Sequence, residues 1–168
     1  VVDLQGAPLY VDDTPGLSVF ELRSKARKLV KDKHVELIII DYLQLMNANG
    51  SNFGSREQEV SIISRTLKGM AKELDIPIIA LSQLNRSVEK RDQSNSVDGK
   101  KPQLSDLRES GAIEQDADTV TLLHNPPCET DDRMESPSLL ELWLDKNRRG
   151  ATGHLDATFY KVTGRVTA

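Results

Sequence analysis

The chain has 168 residues, with 22 Lys and Arg against 26 Asp and Glu, a formal charge of −4, and it is 38% hydrophobic and 29% charged. One globular unit with a core is expected, and a helical membrane protein is excluded because no apolar run approaches the roughly 20 residues that span a bilayer. A lone Cys128 cannot form an intramolecular disulfide, and His34, His124 and His154 are too scattered for a metal-ligand motif, so a reducing cytoplasm is the expected location.

The chain opens Val1-Val2-Asp3-Leu4-Gln5, without an initiator Met and without a secretory leader, and is expected to be a segment of something longer. Leu9 to Asp13 reads as a short strand, and Thr14-Pro15-Gly16 as a turn. Ser18-Val19-Phe20-Glu21 has capping-box spacing, and Leu22, Ala26, Leu29 and Val30 then share one face of a helix whose wet face is basic. From Leu37 the apolar run Leu37-Ile38-Ile39-Ile40 ends in Asp41, the pattern of a strand buried on both faces that delivers an acid to the edge of a parallel sheet. Such an acid can hold Mg²⁺ through its hydration shell; it can equally be an ordinary loop-starting Asp.

A loop rich in Asn, Gly and Ser leads to a second capping box, Ser55-Arg56-Glu57-Gln58, and a helix carrying Val60, Ile63, Leu67, Met70, Ala71 and Leu74 on one face. Ile76 to Leu81 is a second apolar strand, ending in Ser82-Gln83. Residues 86 to 101 lack apolar anchors and read as a mobile loop. Ser105 to Gly111 looks like a helical turn closed by a glycine break. Thr119 to Leu123, Leu139 to Leu144 and His154 to Tyr160 read as strands, with an acidic, turn-rich loop across 125–137. Strand and helix alternate early and strands gather late, which predicts a doubly wound α/β domain with a partly antiparallel end.

Charge is unevenly spread. Between Arg86 and Arg108 six cations face four acids; from Glu109 to Asp145 ten acids face only Arg133; from Lys146 onward five cations face Asp156. Two local basic patches in an acidic protein suit phosphate contacts, and a solvated mixed-charge surface has the same pattern.

Five segments in order, Tyr10 to Gly16, Ile38 to Met46, Leu81 to Arg86, Ser105 to Asp118 and Lys146 to Gly150, resemble the carboxyl-terminal motor domain of the DnaB-type bacterial replicative helicases, which are hexameric RecA-like ATPases. The strings Asp-Tyr-Leu-Gln-Leu-Met and Leu-Arg-Glu-Ser-Gly-Ala-Ile-Glu-Gln-Asp-Ala-Asp carry most of the likeness. The resemblance implies a RecA-like P-loop NTPase core, mostly parallel with antiparallel carboxyl-terminal strands and truncated at its amino-terminal side, so that residues 1–168 form one partial domain with mobile loops at about 86–104 and 125–137.

The same resemblance gives roles. Asp41 becomes the Walker B acid holding Mg²⁺ on the phosphates of ATP, and Gln83 the polar residue that senses the γ-phosphate and links it to the DNA loops. Arg148 becomes the arginine finger and Lys146 its partner, both reaching into the next subunit's site in the homo-hexamer. Arg108, Glu109 and Gly111 fall on the loop that tracks single-stranded DNA, where a sequence-blind grip on phosphates fits the scarcity of aromatics. A helicase loader and primase are the implied protein partners, and no membrane is implied.

No Gly-x-x-x-x-Gly-Lys-Ser/Thr occurs in the chain, and Tyr42 follows Asp41 where many P-loop ATPases have Glu. The catalytic Glu of the resembled family belongs to an upstream strand, so this chain alone is expected to lack ATPase activity. Two missing internal strands would leave open sheet edges, with self-association or shifted strands as the expected outcome. The alternatives are another RecA-like ATPase of recombinase type, against which the Leu-Arg-Glu-Ser-Gly string speaks, and a non-catalytic module binding DNA or a partner through Arg86 to Arg108.

Overall fold

The computed structural model describes residues 6–48, 54–85, 101–126 and 137–168. The chain divides into two compact units, the first ending at Gln83 and the second beginning at Leu84. The loops expected at 86–104 and 125–137 lie largely outside the described residues.

In the first unit two helices accompany a pair of parallel strands. Helix α1 (Val19–Lys33) starts at the expected capping box: Ser18 Oγ accepts from the Phe20 N–H at 3.2 Å, and Glu21 accepts from the Ser18 N–H at 3.2 Å. It ends at His34, which takes the left-handed conformation. Helix α2 (Arg56–Leu74) is capped by Ser55, whose hydroxyl accepts from the Gln58 N–H at 3.3 Å. The second box is only half closed, because the Gln58 side chain turns to the Gly54 N–H instead. Val60, Ile63, Leu67 and Met70 of α2 are buried, as helical periodicity predicts; in α1 only Ala26 of the expected stripe is buried, joined by Val19, while Leu22, Leu29 and Val30 are half-buried. At the surface Glu73 of α2 binds Arg27 and Arg23 of α1, which hold its carboxyl below the usual glutamate range.

Strands β1 (Ile38–Ile40) and β2 (Ile78–Ala80) pair in parallel, with Ile39 opposite Ile79. They are shorter than the sequence suggests, and the expected burial on both faces is not found. Ile40 is buried, whereas Ile39 is 62% exposed and Ile79 50%. Alternate residues of a strand face opposite sides. Here α2 packs against β2, while the side that carries Ile39 and Ile79 is left exposed. Leu9 to Asp13 forms no strand, since no neighbouring strand offers it a ladder among the described residues.

The second unit is built on a four-stranded antiparallel meander, β3 (Thr119–His124), β4 (Ser138–Asn147), β5 (Gly153–Tyr160) and β6 (Arg165–Thr167). The first three match the strands read from the sequence; β6, only three residues long, is not among them. A register shift at Val120/Thr121 interrupts the β3–β4 ladder. Before the sheet a 3₁₀ segment, Leu104–Ser110, runs directly into helix α3 (Gly111–Asp116). The expected glycine break is therefore absent: Gly111 has ordinary right-handed helical angles, and a methyl group there would meet no atom within 4 Å.

A polar and aromatic cluster marks the centre of the sheet. Glu141 accepts from the Trp143 indole N–H at 3.0 Å and lies 2.9 Å from His124 Nδ1; the His124 contact, then the indole, lowers its pKa. Trp143 stacks on His154 with centroids 4.5 Å apart, and Lys101 Nζ sits 3.0 Å from the centre of the Trp143 ring.

Burial orders the cost of truncation in the first unit. Ile63→Ala, at a position with no exposure, should lower unfolding free energy by about 2–5 kcal/mol in urea titration, and Ile39→Ala by no more than about 0.5 kcal/mol. Equal costs would mean that Ile39 is covered in solution.

Candidate functional site

Asp41 and Gln83 come to the same end of the parallel pair. The Leu81 N–H donates to Ile40 O at 2.9 Å, and beyond Asp41 the Leu43 N–H donates back to Leu81 O, also at 2.9 Å. Asp41 lies between these two bonds, with an exposed side chain. Gln83 follows two residues after Leu81, also exposed. Two adjacent parallel strands thus present an acid and an amide at their carboxyl ends, where open α/β sheets bind ligands.

The segment after Asp41 is fastened on three sides. Toward β2, the Gln44 side chain donates to Ser82 Oγ at 3.0 Å and Gln83 O at 3.2 Å, and accepts from the Gln83 N–H at 3.3 Å. Toward α1, Asn47 donates through its side-chain amide to Gly16 O at 2.5 Å, and its main-chain carbonyl accepts from the Val19 N–H at 2.9 Å. Toward α2, Arg56 donates to Gln44 O at 2.8 Å and Met46 O at 3.1 Å, and Glu59 accepts from the Ala48 N–H at 3.1 Å. Burial pushes the Glu59 carboxyl up, but the Ala48 N–H and the Arg56 guanidinium together outweigh it and leave its pKa lowered. None of these fasteners stands out in the sequence. Gln44 sits inside the Asp-Tyr-Leu-Gln string, and its spacing of three from Asp41 is the only available signal.

A single exposed carboxylate suits Mg²⁺, which commonly takes one or two protein carboxylates together with substrate phosphates. Among the described residues no group of three or more His, Cys, Asp or Glu could hold a metal ion by itself. A groove of about 310 Å³ between α1 and α2, lined by Phe20, Arg23, Ile62, Arg65, Thr66 and Gly69, includes none of the candidate residues.

The other candidates belong to the second unit. Lys146, near the end of β4, donates to Glu114 O and, at 3.4 Å, to Gln115 O; the Arg148 guanidinium donates to Gln115 O. The Arg148 N–H also bonds Asp118 O at 2.9 Å, and its side chain lies 3.8 Å from the Asp118 carboxylate. Both cations therefore sit on the carbonyl end of α3, where helix carbonyls lack partners within the helix. Arg148 keeps 47% of its side chain exposed, and the neighbouring Arg149 is exposed as well. Gly111 is the first residue of α3. Arg108 and Glu109 lie in the 3₁₀ segment before it, and their side chains fall outside the described residues.

A parallel pair with polar strand ends, joined through a helix and followed in the chain by an antiparallel sheet, defines an α/β protein, a class whose ligands commonly bind beyond the carboxyl ends of parallel strands. The description "DnaB-like helicase C terminal domain" matches residues 1–167, and the chain belongs to that family. It is 44% identical over 158 residues to the replicative DNA helicase DnaB of Geobacillus stearothermophilus, covering 94% of this chain and 33% of that protein. It is 50% identical over 151 residues to the same helicase of Mycobacterium leprae, covering 89% and 24%. The chain thus spans a quarter to a third of these relatives. Among solved structures it resembles an ATPase domain, with TM-score 0.75 and 38% identity over 90% of this chain and 51% of that one. It also resembles a DnaB-like replicative helicase studied for its interactions with primase, with TM-score 0.76 and 38% identity over 93% and 37%.

The Glu59 fastener has a pH signature. A carboxyl whose folded pKa is lowered stabilises the fold above its unfolded value and loses that contribution as pH falls through the folded value. The Ala48 amide resonance should therefore titrate with a midpoint below the ordinary glutamate value of 4.5, and Glu59→Gln should remove the titration. A midpoint at or above 4.5 would contradict the Arg56 and Ala48 contacts.

Proposed function

We propose that this domain is part of a replicative ring DNA helicase that couples ATP hydrolysis to translocation on single-stranded DNA and to duplex unwinding. The observation that carries this reading is the placement of Asp41 and Gln83 just beyond the carboxyl ends of two adjacent parallel strands in a chain of the DnaB-like family. Asp41 is the residue that would hold Mg²⁺, and the ion when bound would neutralise charge on the phosphates of ATP. Gln83, whose amide both donates and accepts, responds to the γ-phosphate and passes its state toward the DNA-binding segment. Arg108 supplies charge to the DNA backbone, Gly111 opens main-chain approach, and Glu109 contributes through its backbone or by orienting a basic neighbour.

Arg148 acts as the finger on the neighbouring subunit's nucleotide in a homo-hexamer, with Lys146 beside it. Its partial exposure supports this role, because the guanidinium has to leave only the Gln115 carbonyl and a 3.8 Å ion pair with a likewise accessible Asp118 carboxylate. A helicase loader and primase are the protein partners of the whole molecule, and its place is the cytoplasm. Among the described residues no helix is long and apolar enough to cross a membrane.

The test is a pair of substitutions in the full-length ring. Arg148→Ala should lower ATP turnover about 10³- to 10⁵-fold while nucleotide binding persists. Arg148→Lys should be nearly as impaired, since a point charge does not replace a planar fork. Retained turnover in Arg148→Ala removes the finger role. Separately, a pure preparation of these 168 residues should show no Mg²⁺-dependent ATPase above background; a measurable rate would overturn the assignment of hydrolysis to groups outside this chain.

A further inference from the structure

Gln44 belongs to none of the roles above, yet it makes a distinctive contact with the segment that carries Gln83. Its side-chain carbonyl accepts from the Gln83 N–H at 3.3 Å, and its side-chain N–H₂ donates to Gln83 O at 3.2 Å and to Ser82 Oγ at 3.0 Å. One planar amide thus pairs with both backbone groups of one residue, as a neighbouring strand would beyond the last rung of the β1–β2 ladder. Only an amide side chain offers a donor and an acceptor side by side in this way. The opposite orientation of the amide would place like groups against both Gln83 atoms, so the hydrogen-bond pattern itself fixes the orientation.

The main chain of Gln44 is itself held. Its carbonyl accepts from Arg56 at 2.8 Å, and the preceding Leu43 N–H donates to Leu81 O at 2.9 Å. The amide is therefore presented from a fixed base. Gln83 is exposed and its own side chain is left available for another partner, while its backbone is secured from one side by Gln44.

We propose that Gln44 is a positioning residue that grips the backbone of Gln83, so that the Gln83 side chain projects from a defined point beside Asp41. This rests on the reading of Gln83 as the γ-phosphate responder and adds the device that places it. A residue that merely filled space after β1 would need no donor and acceptor on adjacent atoms. Loss of the grip leaves the nucleotide able to bind but blurs the response of Gln83 to it, a defect that belongs to turnover rather than to affinity.

The experiment compares Gln44→Leu, Gln44→Glu and Gln83→Ala in the full-length helicase, measuring ATP turnover with and without single-stranded DNA, KM for ATP and thermal melting. Gln44→Leu removes the donor and the acceptor; Gln44→Glu keeps the acceptor and sets an oxygen against Gln83 O. The grip on Gln83 itself is two modest hydrogen bonds, both lost in Gln44→Leu and one replaced by oxygen–oxygen repulsion in Gln44→Glu, so the ratio of DNA-stimulated to DNA-free turnover should fall about 10-fold in both Gln44 variants. KM for ATP should stay within about twofold, the sign of an interaction used in turnover and not in ground-state binding. Undiminished stimulation in Gln44→Leu, with Gln83→Ala impaired, overturns the positioning role and leaves the reading of Gln83 standing. Undiminished stimulation in Gln83→Ala overturns that reading and this inference with it. If both Gln44 variants melt early and lose every activity together, Gln44 is a folding residue and the proposal fails.

Discussion

The fastening of residues 43 to 48 is the constraint on which the first unit depends. A segment leaving a buried strand end must satisfy its own backbone polar groups, and a short segment cannot do so alone. Here the partners come from three elements: Leu81 and Gln83 at the end of β2, Gly16 and Val19 at the start of α1, and Arg56 and Glu59 at the start of α2. Each helix begins where this segment passes, and each is capped by a serine, Ser18 or Ser55, close to the contact. The helices are therefore anchored at one end by polar bonds to the segment and along their length by the apolar stripe around Ile63 and Met70. Asp41 inherits its position from this arrangement, since its neighbours on both sides are bonded to Leu81.

The second unit solves a similar problem at α3. Six residues make little helix of their own, and a helix this short leaves most of its carbonyls without an intrahelical partner. Lys146 and Arg148 supply donors to Glu114 and Gln115 from the far end of β4, so cations that the family resemblance assigns to a neighbouring nucleotide also close the helix at home. The two uses are compatible in energy. A partly exposed guanidinium on the Gln115 carbonyl and in a long, solvent-accessible ion pair with Asp118 is worth little against water, so the cost of moving it to a phosphate would be small, whereas a buried ion pair would hold it back.

What is legible in the sequence follows from periodicity and capping. Ser18 with Glu21, the α2 stripe from Val60 to Met70, and the alternation of β3 to β5 each rest on local rules, and each element stands where those rules put it. The strand around Ile39 reads as buried on both faces because an apolar run does not reveal what covers it; here Ile39, like Ile79 beside it, is exposed. Gly111 reads as a break because glycine often is one, but open space and right-handed angles let it start a helix. Of the candidate site, Asp41 and Gln83 are visible as polar residues closing apolar runs. Gln44, Arg56 and Glu59 are not, because a contact such as Gln44 with Gln83 joins residues 39 positions apart, and a polar residue in a loop carries no mark of its partner.

The bare face of β1 and β2 bears on how that site is held. Ile39 and Ile79 lie side by side, and the outer edges of both strands are unpaired among the described residues. In a chain that spans a third or less of its relatives, apolar area of this kind is what a further sheet strand or packed element would cover, with a gain of roughly 25 cal/mol for each Å² removed from water. The polar fasteners work on other groups: they act on the segment beyond the strand ends and do not depend on that cover. Asp41 and Gln83 are thus set relative to each other by bonds internal to the first unit, whether or not Ile39 and Ile79 are covered.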